Sequence, residues 1–469
     1  MDEYEVSTKA AATRDARSAT PTESDRRGEY QERPQSLGDD RRTDHDVGSA
    51  RCRPVLEVDI RHLNLLLILL LSCQDQPQQP PCTPEDIVRG PWAVGYHSTR
   101  AEVRWETTSL GCGGIRIRRK SGGDWLAQVG STQTPLSRRL SLTEGVPGRP
   151  DQAGTSILHR VELQNLMPGT CYQYQVSQTE GVTIGRFCTA PRLESRETIR
   201  FGVLGNTHPH RGVDLALYDR LAAWSPSIIL HTGNIQHYEG LAETWSDWFA
   251  RTKPLLQSAA ILPVIGNRDL EVVEETVVED GSPPLEFQEY FQTIWGENGH
   301  TGIGNNYAYR IGGLLVLALD SEGNDRNMWD DATQQWLIEL LSTAEADPTY
   351  RFAVVIFHRA LYTRSLHGGQ DALRSEFVNL VAPFRVRLIL NGQSHCYERF
   401  IESERTWVVS GGGGASLHDC DERFDQLELA QQAAESVHHW IGFTLTASGL
   451  TGEVFDTDDR LIDRFEIGG

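Results

Sequence analysis

The chain has 469 residues, more than one ordinary core holds, so its length predicts two or three domains of roughly 100 to 200 residues each. With 39% hydrophobic and 23% charged residues it has the composition of a soluble globular protein. A formal net charge of -21 repels phosphate backbones and anionic lipid surfaces, which argues against a nucleic-acid partner and requires any bound anion to meet a local positive site.

Residues 1–54 are charged, rich in Arg, Asp, Ser and Thr, and without an apolar period. Such a segment cannot bury enough surface to offset its ordering entropy, so it is expected to be a disordered leader, absent from the mature protein if Met1 is not the true start. Residues 55–73 follow, with "RHLNLLLILLLSC" at their heart. The apolar run Leu65 to Leu71 is far short of the roughly 20 residues that span a bilayer, and it fits the core of a signal peptide, with a short core-helix segment as the alternative. Leu70-Leu71-Ser72-Cys73 resembles the lipobox of bacterial lipoproteins, which implies cleavage before Cys73, its acylation, and a membrane-anchored protein of a bacterial envelope. Residues 74–84, rich in Gln and Pro, read as a flexible or polyproline tether.

Cysteine usage agrees with export. Of eight cysteines, Cys52 and Cys73 fall in the leader and at the lipidation site, leaving six that can pair in an oxidising compartment. Cys171 and Cys188 form the best pair, because "TCYQYQVSQTEGVTIGRFCT" reads as a hairpin turning at Thr179-Glu180 that sets them opposite each other. Buried free thiols are the alternative.

Residues 85–192 alternate apolar and polar residues in short runs such as "AEVRWETT" and "GGIRIRRK", with Trp105 among them, which predicts a small β-sandwich. The runs "AEVRWETT" and "LQNLMPGTCYQYQV" resemble the fibronectin type III-like domain that precedes the catalytic domain of purple acid phosphatases. Residues 193–469 change pattern. Five apolar runs each end in glycine and polar groups: "IRFGVLGNTHPH", "SIILHTGNIQHYEG", "AAILPVIGNRDLE", "RFAVVIFHRALYT" and "VRLILNGQSHCYER". As strands of a layered α/β domain, with helical segments such as "DATQQWLIELLSTAEA" between them, they gather their carboxyl ends on one edge, where such folds place their sites.

The series resembles the calcineurin-like metallophosphoesterases, and their purple acid phosphatase branch in particular, from about residue 88 to the end. The resemblance implies a fibronectin type III-like sandwich followed by a four-layer α/β metallophosphoesterase domain. It also implies two metal ions that activate a bridging hydroxide to attack phosphorus. The family's ligand positions fall on Asn206 and His208, on Asn234 where a bridging aspartate belongs, on Asn267, on His358, and on Gln393 and His395. Arg268 stands where a leaving-group histidine belongs, and His237 where purple members carry a tyrosine.

Asn206, Asn234 and Gln393 thus replace two aspartates and a histidine. A neutral amide is a weak ligand and cannot balance dipositive ions as a bridging carboxylate does. The expectation is a degenerate, catalytically impaired homologue without cofactor, serving as a binding or structural module, with Arg268 and Arg359 as contacts for a phosphorylated or other anionic ligand. The alternative is an active, divergent phosphoesterase of phosphomonoesters, holding one or two Fe, Zn or Mn ions, with His358 and His395 essential. His210, His231, His237 and His367 lie in or near the same loops, and three histidines with an open position can hold a zinc ion, with purely structural histidines as the alternative. Cys396 beside His395 is a candidate nucleophile.

Overall fold

The structure is a computed structural model, which describes residues 83–108, 112–138, 154–176, 184–207, 213–235, 248–269, 301–303, 305–322, 329–369, 371–420 and 431–468. The expectations for the leader, for Cys73, for the turn at Thr179-Glu180 and for His208, His210 and His237 lie outside the described residues. Residues 77–469 form one compact unit.

Its first part is two four-stranded antiparallel sheets. One has the order β1 (Ile87–Val94), β2 (Ala101–Thr107), β6 (Gly154–Leu163), β5 (Thr132–Arg138). The other runs β4 (Ala127–Gly130), β3 (Gly114–Arg119), β7 (Cys171–Val176), β8 (Ile184–Cys188). Period-2 alternation turns Val103, Trp105, Ile115, Ile117, Tyr172 and Tyr174 into one shared buried cluster. The Trp105 indole stacks parallel on the His159 imidazole at 5.0 Å between centroids. The register of β7 and β8 sets Cys171 opposite Cys188, and the two form the expected disulfide.

The second part has two larger sheets. The six-stranded sheet runs β11 (Ala260–Pro263), β10 (Ile228–His231), β9 (Ile199–Leu204), β20 (His439–Leu445), β21 (Gly449–Asp456), β22 (Leu461–Gly468). The eight-stranded sheet has the order β12 (Thr301–Ile303), β13 (Asn306–Ile311), β14 (Leu314–Ala318), β15 (Phe352–Phe357), β16 (Val386–Asn391), β18 (Arg405–Ser410), β17 (Tyr397–Glu402), β19 (Gln431–Glu435). Phe201, Val203, Ile228 and Leu230 from one sheet meet Val354, Ile356, Leu388 and Leu390 from the other in a single core.

The opposite faces are covered by helices. Leu204, Ile229 and Ile261 pack with Leu217 and Leu221 of α1 (Val213–Trp224). Val355, Phe357 and Ile389 pack with Leu337 and Leu341 of α2 (Asp331–Glu345) and with Phe377 of α3 (Asp371–Val381). Asp330 starts α2 by accepting the Thr333 backbone N–H at 2.8 Å. The result is the four-layer order helix, sheet, sheet, helix that the resemblance implies. All five runs are strands whose last residues point to one edge, since β9, β10 and β11 are parallel to one another, as are β14, β15, β16 and β18.

Candidate functional site

Where each of these strands stops, the chain turns sharply and presents a polar side chain. Asn206, Asn234 and Gln393 adopt left-handed backbone conformations, with φ of 51°, 52° and 59°. Short amide side chains tolerate that region better than most, which suits Asn206 and Asn234 to their turns. Around His358, three loops press in so closely that only glycine fits. A Cβ on Gly266 would stand 2.3 Å from Asn234 Oδ1 and 2.9 Å from the His358 ring, and one on Gly392 would stand 2.8 Å from His358 Nδ1. Gly233, at φ 90°, is equally close to that ring.

The hydrogen bonds fix which atom of each amide faces which neighbour. The Arg268 backbone N–H donates to Asn234 Oδ1 at 2.9 Å, so the Asn234 nitrogen must face the other way, and it donates to Asn267 Oδ1 at 3.2 Å. His358 is fully buried and its Nδ1–H donates to the Thr232 carbonyl at 2.8 Å. Burial pushes its pKa down to about 4, so the ring is neutral and its Nε2 carries a lone pair. That lone pair faces Asn267 Oδ1 at 3.1 Å, an acceptor against an acceptor. Gln393 Oε1 accepts the Ala360 N–H at 3.1 Å. Asn206 is fully buried, and among the described residues neither atom of its amide has a hydrogen-bond partner.

Farther out, His395 donates Nδ1–H to the Ser416 carbonyl at 2.7 Å and stacks on His418 at 4.0 Å between centroids. His418 accepts the His395 backbone N–H through Nδ1, and its ring lies 5.0 Å from that of His367. Burial and then His418 hold the His395 pKa down to about 3, while burial and then His367 hold His418 at about 4. The His367 pKa is lowered too, by burial and by the positive charge of Arg268.

Several sequence expectations are corrected here. His231 is a core histidine. Its Nδ1 accepts the Gly233 N–H, and its Nε2–H donates to Thr207 Oγ1, which also accepts the Trp248 indole N–H and donates to the Ile235 carbonyl. Every polar atom of that ring is satisfied, which disqualifies it as a ligand. Arg359 is tied to Glu322, Nε to Oε2 at 3.2 Å, and the carboxylate is almost wholly buried, so its charge is already matched within the protein. Cys396 is joined to Cys420 in a disulfide and is no nucleophile. Its neighbour Glu398 accepts from Thr363 Oγ1, the Arg364 N–H and Gln431 Nε2, a structural arrangement rather than a metal cluster.

Sequence reasoning missed Asp269. Its buried carboxylate accepts the Ile235 N–H on Oδ1 and the Gly266 N–H on Oδ2, both at 2.9 Å, and so pins the second junction to the third. The pair Asn267 and Asp269, two apart in "GNRD", was the available signal.

These positions do not fit a two-metal centre. The Asn234 oxygen, where a bridging carboxylate belongs, is taken by a backbone donor, and its other polar atom is an N–H. Gln393 is turned to Ala360. Asn206, Asn267, His358 and His395 retain donor atoms, yet the set contains no carboxylate.

Comparison with known proteins agrees with the fold. Residues 199–397 match the calcineurin-like phosphoesterase family. Within it, the similarity runs to purple acid phosphatases. The structure superimposes on a purple acid phosphatase from yellow lupin (Lupinus luteus) seeds with a TM-score of 0.63 at 17% identity, covering 81% of this chain and 74% of that one. A probable purple acid phosphatase of Arabidopsis thaliana is 21% identical over 248 residues, which cover 52% of this chain and 55% of that protein. An uncharacterized protein of Mycobacterium tuberculosis is 25% identical over 339 residues, 64% of this chain and 60% of its relative. The chain thus spans less than two thirds of the length of the curated relatives it matches.

Proposed function

We propose that this is an exported, lipid-anchored protein of the purple acid phosphatase-like branch that has lost dinuclear hydrolysis and uses its strand-end pocket to bind an anion or a protein partner. The observation that carries the reading is the closed chain of amides. From the Arg268 N–H to Asn234 to Asn267, each donor meets an acceptor inside the protein, where the family's chemistry needs oxygen lone pairs turned to metal. Arg268, whose charge reaches His367, supports an anionic ligand there, while Arg359 is neutralised by Glu322. The disulfides Cys171–Cys188 and Cys396–Cys420 support an oxidising compartment, and the strand order of the two small sheets supports a fibronectin type III-like sandwich.

A second reading, a single weakly held cation, draws on His358 Nε2 and Asn267 Oδ1. Two lone pairs 3.1 Å apart have about the separation of adjacent ligands on one ion with bonds of about 2.1 Å. An assay of phosphomonoester hydrolysis with added manganese or zinc separates the readings. The parent protein is expected to hydrolyse nothing above buffer, and the variant carrying Asn206→Asp, Asn234→Asp, Arg268→His and Gln393→His to bind metal and gain weak activity. Activity in the parent that disappears on mutating His358 or His395 reverses the assignment. For the anchor, mass spectrometry of protein from its host is expected to find an acylated amino terminus at Cys73. An unmodified peptide running through Cys73 rules that out.

A further inference from the structure

The edge of the sheets opposite the strand-end pocket carries a cavity of about 340 Å³. It opens where β9 and β15 begin and β20 ends, between Ile199, Arg351 and Leu445, and the segment that connects the small sheets to β9 closes it with Leu193 and Arg196. Apolar walls are supplied by Leu193, Ile199 and Leu445, and the charged groups of the lining are Arg196 and Arg351 with Glu194 and Glu197.

Arg351 is held in place by its surroundings. Its backbone N–H donates to the Gly313 carbonyl at 2.8 Å, and Nη1 donates to the Thr446 carbonyl. Its stem lies against Gly313 so closely that a Cβ there would stand 2.8 Å from both Cγ and Cδ. Another nitrogen of the guanidinium, Nη2, is buried and has no hydrogen-bond partner among the described residues. Arg196 lies near enough for its charge, after burial, to lower the Arg351 pKa. Neither Glu194 nor Glu197, which also line the cavity, forms an ion pair with either arginine. Other charges nearby are matched already: Arg310 by Asp347 and Arg385 by Glu345. A buried N–H donor without partner needs an acceptor, and the second guanidinium beside it favours an anionic one.

We propose that this cavity is an anion site separate from the strand-end pocket, taking a small molecule that carries a phosphate or carboxylate group bound by Arg351 Nη2 and by Arg196. The volume lies at the small end of ligand pockets, which limits the occupant to a compact anion. Because Arg196 belongs to the connecting segment and Arg351 to the start of β15, the bound anion fastens that segment to the sheets.

Isothermal titration of the full chain with inorganic phosphate, and separately with succinate, distinguishes the two chemistries by which binds more tightly. Arg196→Gln, at an exposed position, and Arg351→Met are each expected to weaken the preferred anion at least tenfold, while Arg387→Gln, which removes an arginine paired with Glu404 outside both pockets, leaves this binding unchanged. Should Arg351→Met fail to fold, Arg196→Gln decides alone. Trypsin provides a second readout, since the preferred anion should slow cleavage after Arg192 and Arg196 at least threefold in the parent and not in Arg351→Met. Binding of neither anion, or binding lost in Arg268→Gln in the strand-end pocket and kept in Arg196→Gln, overturns the proposal.

Discussion

The two halves of the strand-end pocket are built from the same kind of junction and differ in where their polar atoms point. On the six-stranded side, the loops after β10 and β11 are closed: Asn234 has both amide atoms engaged, Asp269 holds two backbone N–H groups, and His231 is satisfied at both nitrogens. On the eight-stranded side, His358 turns its Nε2 lone pair toward another acceptor, and His395, His418 and His367 lie together as imidazoles whose pKa values are all lowered. After β10 and β11 the amides and Asp269 form a hydrogen-bonded framework, while Asn206 after β9 has no partner among the described residues and the eight-stranded side presents imidazole donor atoms suited to a cation. A dinuclear centre needs anionic oxygen between its ions, and Asn234, where the resemblance implies the bridging ligand, lies in the closed half.

The largest effect expected of this arrangement is acid sensitivity. His231 and His439 are both buried, with pKa values lowered to about 3 and about 4, chiefly by burial. An unfolded histidine takes up its proton near pH 6.5, so between there and pH 4 the unfolded state binds more protons than the folded one. Stability is therefore full above about pH 6.5 and falls as the pH drops through that window, by about 2 kcal/mol per histidine at pH 5. Urea midpoints measured from pH 8 to pH 4 check it. A flat profile would mean that the framework around His231 opens to water.

Asp269→Ala tests the closed half directly. It leaves the Ile235 and Gly266 N–H groups buried without acceptors, for an expected loss of about 3 kcal/mol in chemical denaturation. A loss under about 1 kcal/mol would show that the second and third junctions do not depend on each other, and the contrast between the halves would weaken.

Much of this was legible in the sequence, for a physical reason. A strand buried on both faces is a continuous apolar run, so β9, β10, β11, β15 and β16 announce themselves, and the residue that follows each run must sit at the common edge. Hairpin register likewise made Cys171 and Cys188 readable as a pair. What escaped were the partners chosen in three dimensions. Arg359 and Glu322 are 37 residues apart, Cys396 and Cys420 are 24 apart with no hairpin to join them, and His418 reaches His395 from a loop with no apolar pattern. His231 and His358 both end strands and look alike as letters, and only the position of Thr207 and Trp248 around one of them separates a satisfied core histidine from one that presents a lone pair.

The central claim is that the amide framework has displaced the two-metal centre, and elemental analysis of the parent protein tests it most directly. Purified without added metal, and again after equilibration with iron, zinc and manganese and removal of the excess, the protein is expected to hold well under one equivalent in the first case and at most one in the second, without purple colour. Two equivalents of tightly held metal would contradict the account, because Asn234 would then have to give up its bonds to Arg268 and Asn267 and bridge the ions as an amide.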